Sequence, residues 1–211
     1  MKNNDHRPIP GWSILLFLAV TLPLALTAGY FLAGRGMLPL LSAFFLVGGL
    51  AALAAVAPMG GAALPALGFR WVGWRPMLLG AVGTMALSII VSQLGPSPEG
   101  IKDAMKVVQE PRFFLVSLLV LAVLAPVVEE LIFRGLLYGW LEGRWGPRMA
   151  VAVSTVAFAA AHIEPAHVVL VLPLGLLFGW LRWRTDSILP SLFSHVANNG
   201  MAVIAGAMTG V

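Results

Sequence analysis

The chain has 211 residues, of which 59% are apolar and only 10% charged, with a mean hydropathy of +0.92. A soluble domain carries about 25% charged residues, so the composition excludes disorder, a coiled coil and an ordinary water-soluble enzyme and leaves a polytopic helical membrane protein. The net charge of +4 would suggest nucleic acid in a soluble protein, but the basic residues flank apolar runs, where membrane orientation accounts for them.

The first ten residues are polar and mildly basic, and a long apolar run follows without a small-residue cleavage signal. That run, 12–33, is expected to be a retained first span rather than a removed signal peptide. Further apolar runs cover 38–57, 77–94, 113–128, 149–161, 166–181 and 187–211. Their continuity excludes a β-barrel, whose strands alternate. The expected fold is all-α, a polytopic transmembrane bundle of about seven to eight helices. It forms a single integral membrane domain over 1–211, with N-terminal spans in 1–112 and the helices that carry chemistry in 113–211. The segment 69–76, FRWVGWRP, mixes Trp with Arg and reads as an interfacial stretch.

With the N-terminus inside, Lys2, Arg7, Arg70, Arg75, Arg144, Arg148, Arg182 and Arg184 fall on the cytoplasmic side, against Arg35, Lys102, Lys106 and Arg112 outside. The excess favours a cytoplasmic N-terminus. Cysteine is absent, which excludes disulfides, a thiolate nucleophile and a Cys-ligated metal.

Charged groups in apolar helices are expensive, about 2.5–3.5 kcal/mol each on insertion scales, so each one needs a reason. Three groups stand out. In APVVEELIFRG (125–135), Glu130 and Arg134 are four apart and can pair on one helical face, while Glu129 points elsewhere and is left for chemistry. The alternative is a single interfacial ion network. In FAAAH (158–162), Phe158 and His162 share a face, and the alanines permit close helix packing. In HVANN (195–199), His195 and Asn199 share a face and Asn198 lies on the next. Donors converging in a dry site can stabilise an oxyanion, although helix–helix hydrogen bonding is the plainer use of such side chains.

At about 1.5 Å per residue, Glu129, His162 and His195 can all reach the inner half of the membrane, in a pocket opening toward the cytosol. A carboxylate and an imidazole facing one water can generate a nucleophile. A second His and an Asn can then bind the oxyanion, which makes a peptide hydrolase without a covalent intermediate. No serine sits in a nucleophile turn, and Asp5, Asp103 and Asp186 lie in polar connections. HIEPAH (162–167) spaces its histidines wrongly for a helical zinc motif. A metal held by Glu129, His162 and His195 is an alternative.

EELIFR, FAAAH and HVANN in this order resemble the E-E-x-x-x-R, F-x-x-x-H and H-x-x-x-N/B motif series of the CPBP family. That family comprises the CAAX-prenyl-protease and bacteriocin-processing (Abi) membrane proteins. The resemblance covers about residue 113 to the C-terminus. It implies a glutamate-dependent, metal-independent intramembrane endopeptidase that needs no cofactor. Glu129 would be the base, His162 its assistant, and His195 and Asn199 the oxyanion site. Glu130, Arg134, Phe158 and Asn198 would support them. The short chain suits prokaryotic members of the inner or plasma membrane. The implied partners are the bilayer and a membrane-associated peptide or protein: a leader, a pheromone or a C-terminal sorting tail rather than a prenylated substrate. A non-catalytic scaffold of the same fold and an ion-coupled transporter are the rival readings.

Overall fold

The computed structural model describes residues 8–209, so Lys2 and Arg7 of the orientation count, and the last two residues of the final run, lie outside it. All regular structure among the described residues is helical. In chain order the helices are α1 (Gly11–Leu32), α2 (Met37–Val56), the short α3 (Ala63–Leu67), α4 (Trp74–Leu94), α5 (Glu99–Val108), α6 (114–145), α7 (147–160), α8 (Pro165–Thr185) and α9 (Leu189–Thr209). Each of the seven apolar runs is a helix. The short α3 and α5 are additions. Among the described residues, five segments are long and apolar enough to cross a membrane: Gly11–Leu32, Met37–Leu67, Trp74–Leu94, Phe114–Ala160 and Pro165–Thr185.

The fourth run extends well past its charged residues. It ends only at Gly146, whose φ of 78° and ψ of 171° reverse the chain into α7. That backbone state is open to glycine at little steric cost, and Pro147 follows it.

Large apolar side chains on α1, such as Leu15, Leu22, Leu26 and Phe31, are exposed. A helix with no polar outer face fits a lipid surrounding rather than water. Inside the bundle, glycine sets the helix spacing. A Cβ on Gly49 would lie 2.9 Å from Val128, and one on Gly80 would lie 2.6 Å from the Ser194 hydroxyl. Small residues let backbones approach where lipid supplies no hydrophobic drive between helices.

Helix α6 is the central rod, packed against α2, α7 and α9. Two of its turns, Leu118–Leu124 and Leu131–Leu137, are π-helical, and such wide turns cluster at functional sites. The first has a traceable consequence. The Ala125 amide donates to Val120 rather than to Leu121, and residue 126 is a proline without an N–H. The Leu121 carbonyl is thereby left without a helical donor.

One apolar cluster closes the end of the bundle near the N-terminus: Ile9, Ala52, Ala55, Val56, Ala66, Leu67, Leu131 and Leu136. On the same end, segment 69–76 exposes Trp71 and Trp74, as an interfacial stretch should. It is also tied down. Ser187 Oγ donates to the Arg70 carbonyl at 2.6 Å, and Arg70 pairs with Asp186 at 3.2 Å. Buried Arg182 donates from Nε to the Arg134 carbonyl (3.2 Å), pairs with Asp186 (2.9 Å) and stacks over Tyr138 (4.8 Å).

Candidate active site

The three motifs meet at one cavity of about 1060 Å³, between the N-terminal helices and the rod. Glu129, Phe158, His162, His195, Asn198 and Asn199 all line it. Glu130 and Arg134 do not; they lie behind its wall, each fully buried.

Their sequence spacing explains the division. Glu130 and Arg134 pair one turn apart, with Nη1 3.2 Å from Oε1. The guanidinium also donates from Nη2 to the Gly175 carbonyl on α8 at 2.9 Å. It lies 4.3 Å over the Phe158 ring and 5.4 Å from that of Phe178. A buried charge needs such partners, because the interior offers no water to replace them. One arginine thus fixes α6, α7 and α8 together. Thr155 Oγ1 donates to the same Gly175 carbonyl at 3.2 Å.

His195 is the meeting point of the two glutamates. Its Nδ1 donates to Glu130 Oε1 at 3.2 Å, and its Nε2 lies 3.5 Å from Glu129 Oε2. The ring stacks on Phe178 at 4.7 Å. A carboxylate with no proton only accepts, so Nδ1 carries a hydrogen. Nε2 and Oε2 face each other across a gap that one further proton would bridge. With that proton, Glu129, Glu130, Arg134 and His195 carry no net charge, which a low-dielectric interior favours. The sequence reading sent Glu129 away from Glu130, and its carboxylate does enter the cavity. The same reading did not foresee that His195 would touch both acids.

His162 ends α7. Its Nδ1 donates to the Phe158 carbonyl at 3.0 Å, which leaves Nε2 as the ring's acceptor. Phe158 packs edge-on against it at 5.0 Å, and so does His167 at 4.5 Å. Asn199 donates from Nδ2 to the Leu121 carbonyl at 3.1 Å, the group orphaned by the π-turn and Pro126. One Nδ2 hydrogen of Asn199 therefore holds α9 to α6, and the other is available to the cavity. Asn198 donates weakly to Asn199 Oδ1, at 3.4 Å.

The expected opening toward the N-terminal face is not what the lining shows. The apolar cluster at that end forms a floor. The walls run the other way, through Met37–Gly48 of α2 and Ser88–Ser92 of α4, up to Gly100–Met105 of α5. Gly175, Thr155 and Phe178 were missed by the sequence reading, and His167 was weighed there only as part of a zinc motif and set aside. A signal existed for the first: Gly175-x-x-x-Gly179 is a close-packing pattern. Added Cβ atoms would lie 2.8 Å from Phe158 and 3.2 Å from Val151 respectively.

The fold and the site together define a helical membrane protein with a buried acid–imidazole cluster. Comparison with known proteins places it more closely. Residues 111–201 match the Rce1-like family, described as type II CAAX prenyl endopeptidase Rce1-like. The chain is also similar to a protein of Bacillus subtilis (strain 168) named "Putative membrane peptidase YdiL". The two are 28% identical over 120 residues, covering 56% of this chain and 48% of that one. The chain thus spans about half the length of the curated relative it matches. No solved structure matches it significantly. The motif-bearing part of the chain is thus similar to CAAX-type membrane endopeptidases.

Proposed function

We propose that the chain is an intramembrane endopeptidase that hydrolyses a peptide bond through a water activated by Glu129 and His162. The observation that carries this reading is that the carboxylate of Glu129 and the imidazoles of His162 and His195 border one apolar-walled cavity.

In this mechanism a water lies between Glu129 and the Nε2 acceptor of His162. Its oxygen attacks the scissile carbonyl carbon, and its proton passes to the Glu129 carboxylate. The carbonyl oxygen becomes an oxyanion, stabilised by the proton at His195 Nε2 and the spare Nδ2 hydrogen of Asn199. Collapse of the tetrahedral intermediate breaks the C–N bond, and the proton held by Glu129 goes to the leaving amine. Glu130 and Arg134 take no part in bond making; they hold His195 and the rod in register. The group set needs no metal or other cofactor. The substrate class is a membrane-associated peptide or protein, such as a leader, a pheromone or a C-terminal sorting tail. The setting is a prokaryotic plasma membrane, with the N-terminus in the cytoplasm.

The test is peptidomics of membranes from cells carrying the wild-type chain or Glu129→Gln at equal abundance. Cleaved peptides found only with the wild type support the proposal and identify the substrate. Equal peptide profiles together with retained cellular function would assign a scaffold instead. Solute flux into proteoliposomes that Glu129→Gln abolishes would assign a transporter.

A further inference from the structure

Glu164 belongs to none of the three motifs, yet its carboxylate reaches across the chain to α5. Oε1 accepts from the Glu99 amide at 2.6 Å, and Oε2 accepts from the Gly100 amide at 3.1 Å. These are the first two amides of α5, donors that have no partner inside their own helix. A carboxylate at that end is also favoured by the helix dipole.

The amphipathic α5 roofs the cavity. Gly100, Ile101, Ala104 and Met105 line the cavity beneath it. On its exposed face Lys102 pairs with Glu99 and Lys106 pairs with Asp103. At its far end Val108 is buried against Ala122 and Val203. Its near end is reached through Gly95, Pro96 and Pro98, and there Glu164 is the cross-chain tie.

At the other end of that tie lies the catalytic imidazole. Glu164 is two residues after His162, and its amide donates to the His162 carbonyl at 2.6 Å. Between them Ile163 has a φ of +62°. A β-branched residue in the left-handed region is strained, and such strain persists only where the surroundings hold it. With Ile163 86% exposed, its own packing supplies little of that hold.

We infer that Glu164 is a positioning residue for His162, clamping the loop that bears the imidazole to the roof over the cavity. Seating the roof and setting His162 are then a single event. The assignment of His162 to catalysis rests on the proteolytic reading above, whereas the mechanical tie does not.

The test is hydrogen–deuterium exchange of the full chain in lipid nanodiscs, paired with cleavage of the peptide found by the peptidomic comparison. The variants are Glu164→Ala and Gly100→Pro. The second deletes a donor from the roof side, in the first turn of α5, where the lost N–H has no partner inside the helix. Lys102→Ala, on the outer face of α5, is the control. Both clamp variants should raise exchange at 99–105 and at 159–166 together by about tenfold, the scale of one charge-assisted hydrogen bond. They should leave 189–205 unchanged, and kcat should fall by a similar factor with KM nearly constant. Lys102→Ala should match the wild type in both measurements. Faster exchange confined to 99–105, with 159–166 as in the wild type, overturns the clamp whatever the activity. A kcat that holds at the wild-type value while both segments loosen overturns the positioning role. A wild-type chain that cleaves nothing sinks the proteolytic reading, and the exchange pattern alone then decides the tie.

Discussion

Replacing Arg134 with Met tests whether the buried ion pair organises the site. Arg134→Met keeps an unbranched stem and removes the guanidinium with its charge. It leaves the fully buried Glu130 with only His195 and the Ser191 hydroxyl as polar partners. Breaking a buried pair by deleting one member costs about 3–5 kcal/mol. The lost stack on Phe158, at 4.3 Å, adds about 1 kcal/mol. The lost bond to the Gly175 carbonyl adds less than the usual ~1 kcal/mol, because Thr155 still donates there. Partial retention of van der Waals contact by Met offsets some of this, so the expected loss is about 4 kcal/mol. The double variant Glu130→Gln/Arg134→Met leaves no orphaned charge, and Gln can still accept from His195 Nδ1. It should cost less than half as much as Arg134→Met alone. Unfolding midpoints in SDS-titrated micelles, arranged as a double-mutant cycle, measure the coupling directly. A loss below about 1 kcal/mol for Arg134→Met, the range of an exposed pair, would refute the reasoning. So would a double variant whose cost equals the sum of the singles.

Gly175→Ala places a methyl 2.8 Å from Phe158 and 3.3 Å from Arg134 Nη2; it should destabilise by about 1–3 kcal/mol and lower the cleavage rate, both read on the purified protein. Asn199→Ala strips the Leu121 carbonyl of its donor and should cost about 1 kcal/mol in the same unfolding assay, within the range of interhelical bonds in membranes, besides any loss of turnover. Ile163→Gly relieves the positive φ and sacrifices little packing at a residue 86% exposed; a midpoint raised by about 1 kcal/mol is expected, and a lowered midpoint would count against strain at that position.

The sequence displayed the site better than its supports. Glu129, His162 and His195 were legible because ionisable groups inside apolar runs need a reason, and four-residue spacings put named partners on one face. The Glu130–Arg134 pair followed from spacing alone and survives even though Arg134 lies in a π-turn. What spacing could not give was anything set by a distant segment. Asn199 meets the Leu121 carbonyl only because Ala125 bonds one residue further back and residue 126 is a proline; a regular helix assumed over 113–128 hides that vacancy. The roof was missed for a different reason. Residues 99–108 are too short and too charged to register as a span, and their apolar face acquires meaning only once a cavity lies beneath it.

The cavity also shows how the two halves of the chain divide the work. All the groups that make or break bonds on the proteolytic reading come from the family-matched segment 111–201. The opposite wall comes from outside it: Phe17 and Thr21 on α1, Phe44 and Gly48 on α2, Ser92 on α4, and the α5 roof. Helix α1 packs chiefly on α2 rather than on the rod, so its part of this wall can vary in sequence without touching the Glu130–Arg134–Gly175 tie that holds the acid and imidazole groups. On the proteolytic reading, the chemistry is held by one half of the chain and the shape of the cavity is set largely by the other. Substitutions at Phe17 or Phe44 should accordingly change which peptides are cut, whereas substitutions at Gly175 or Arg134 should change whether any is.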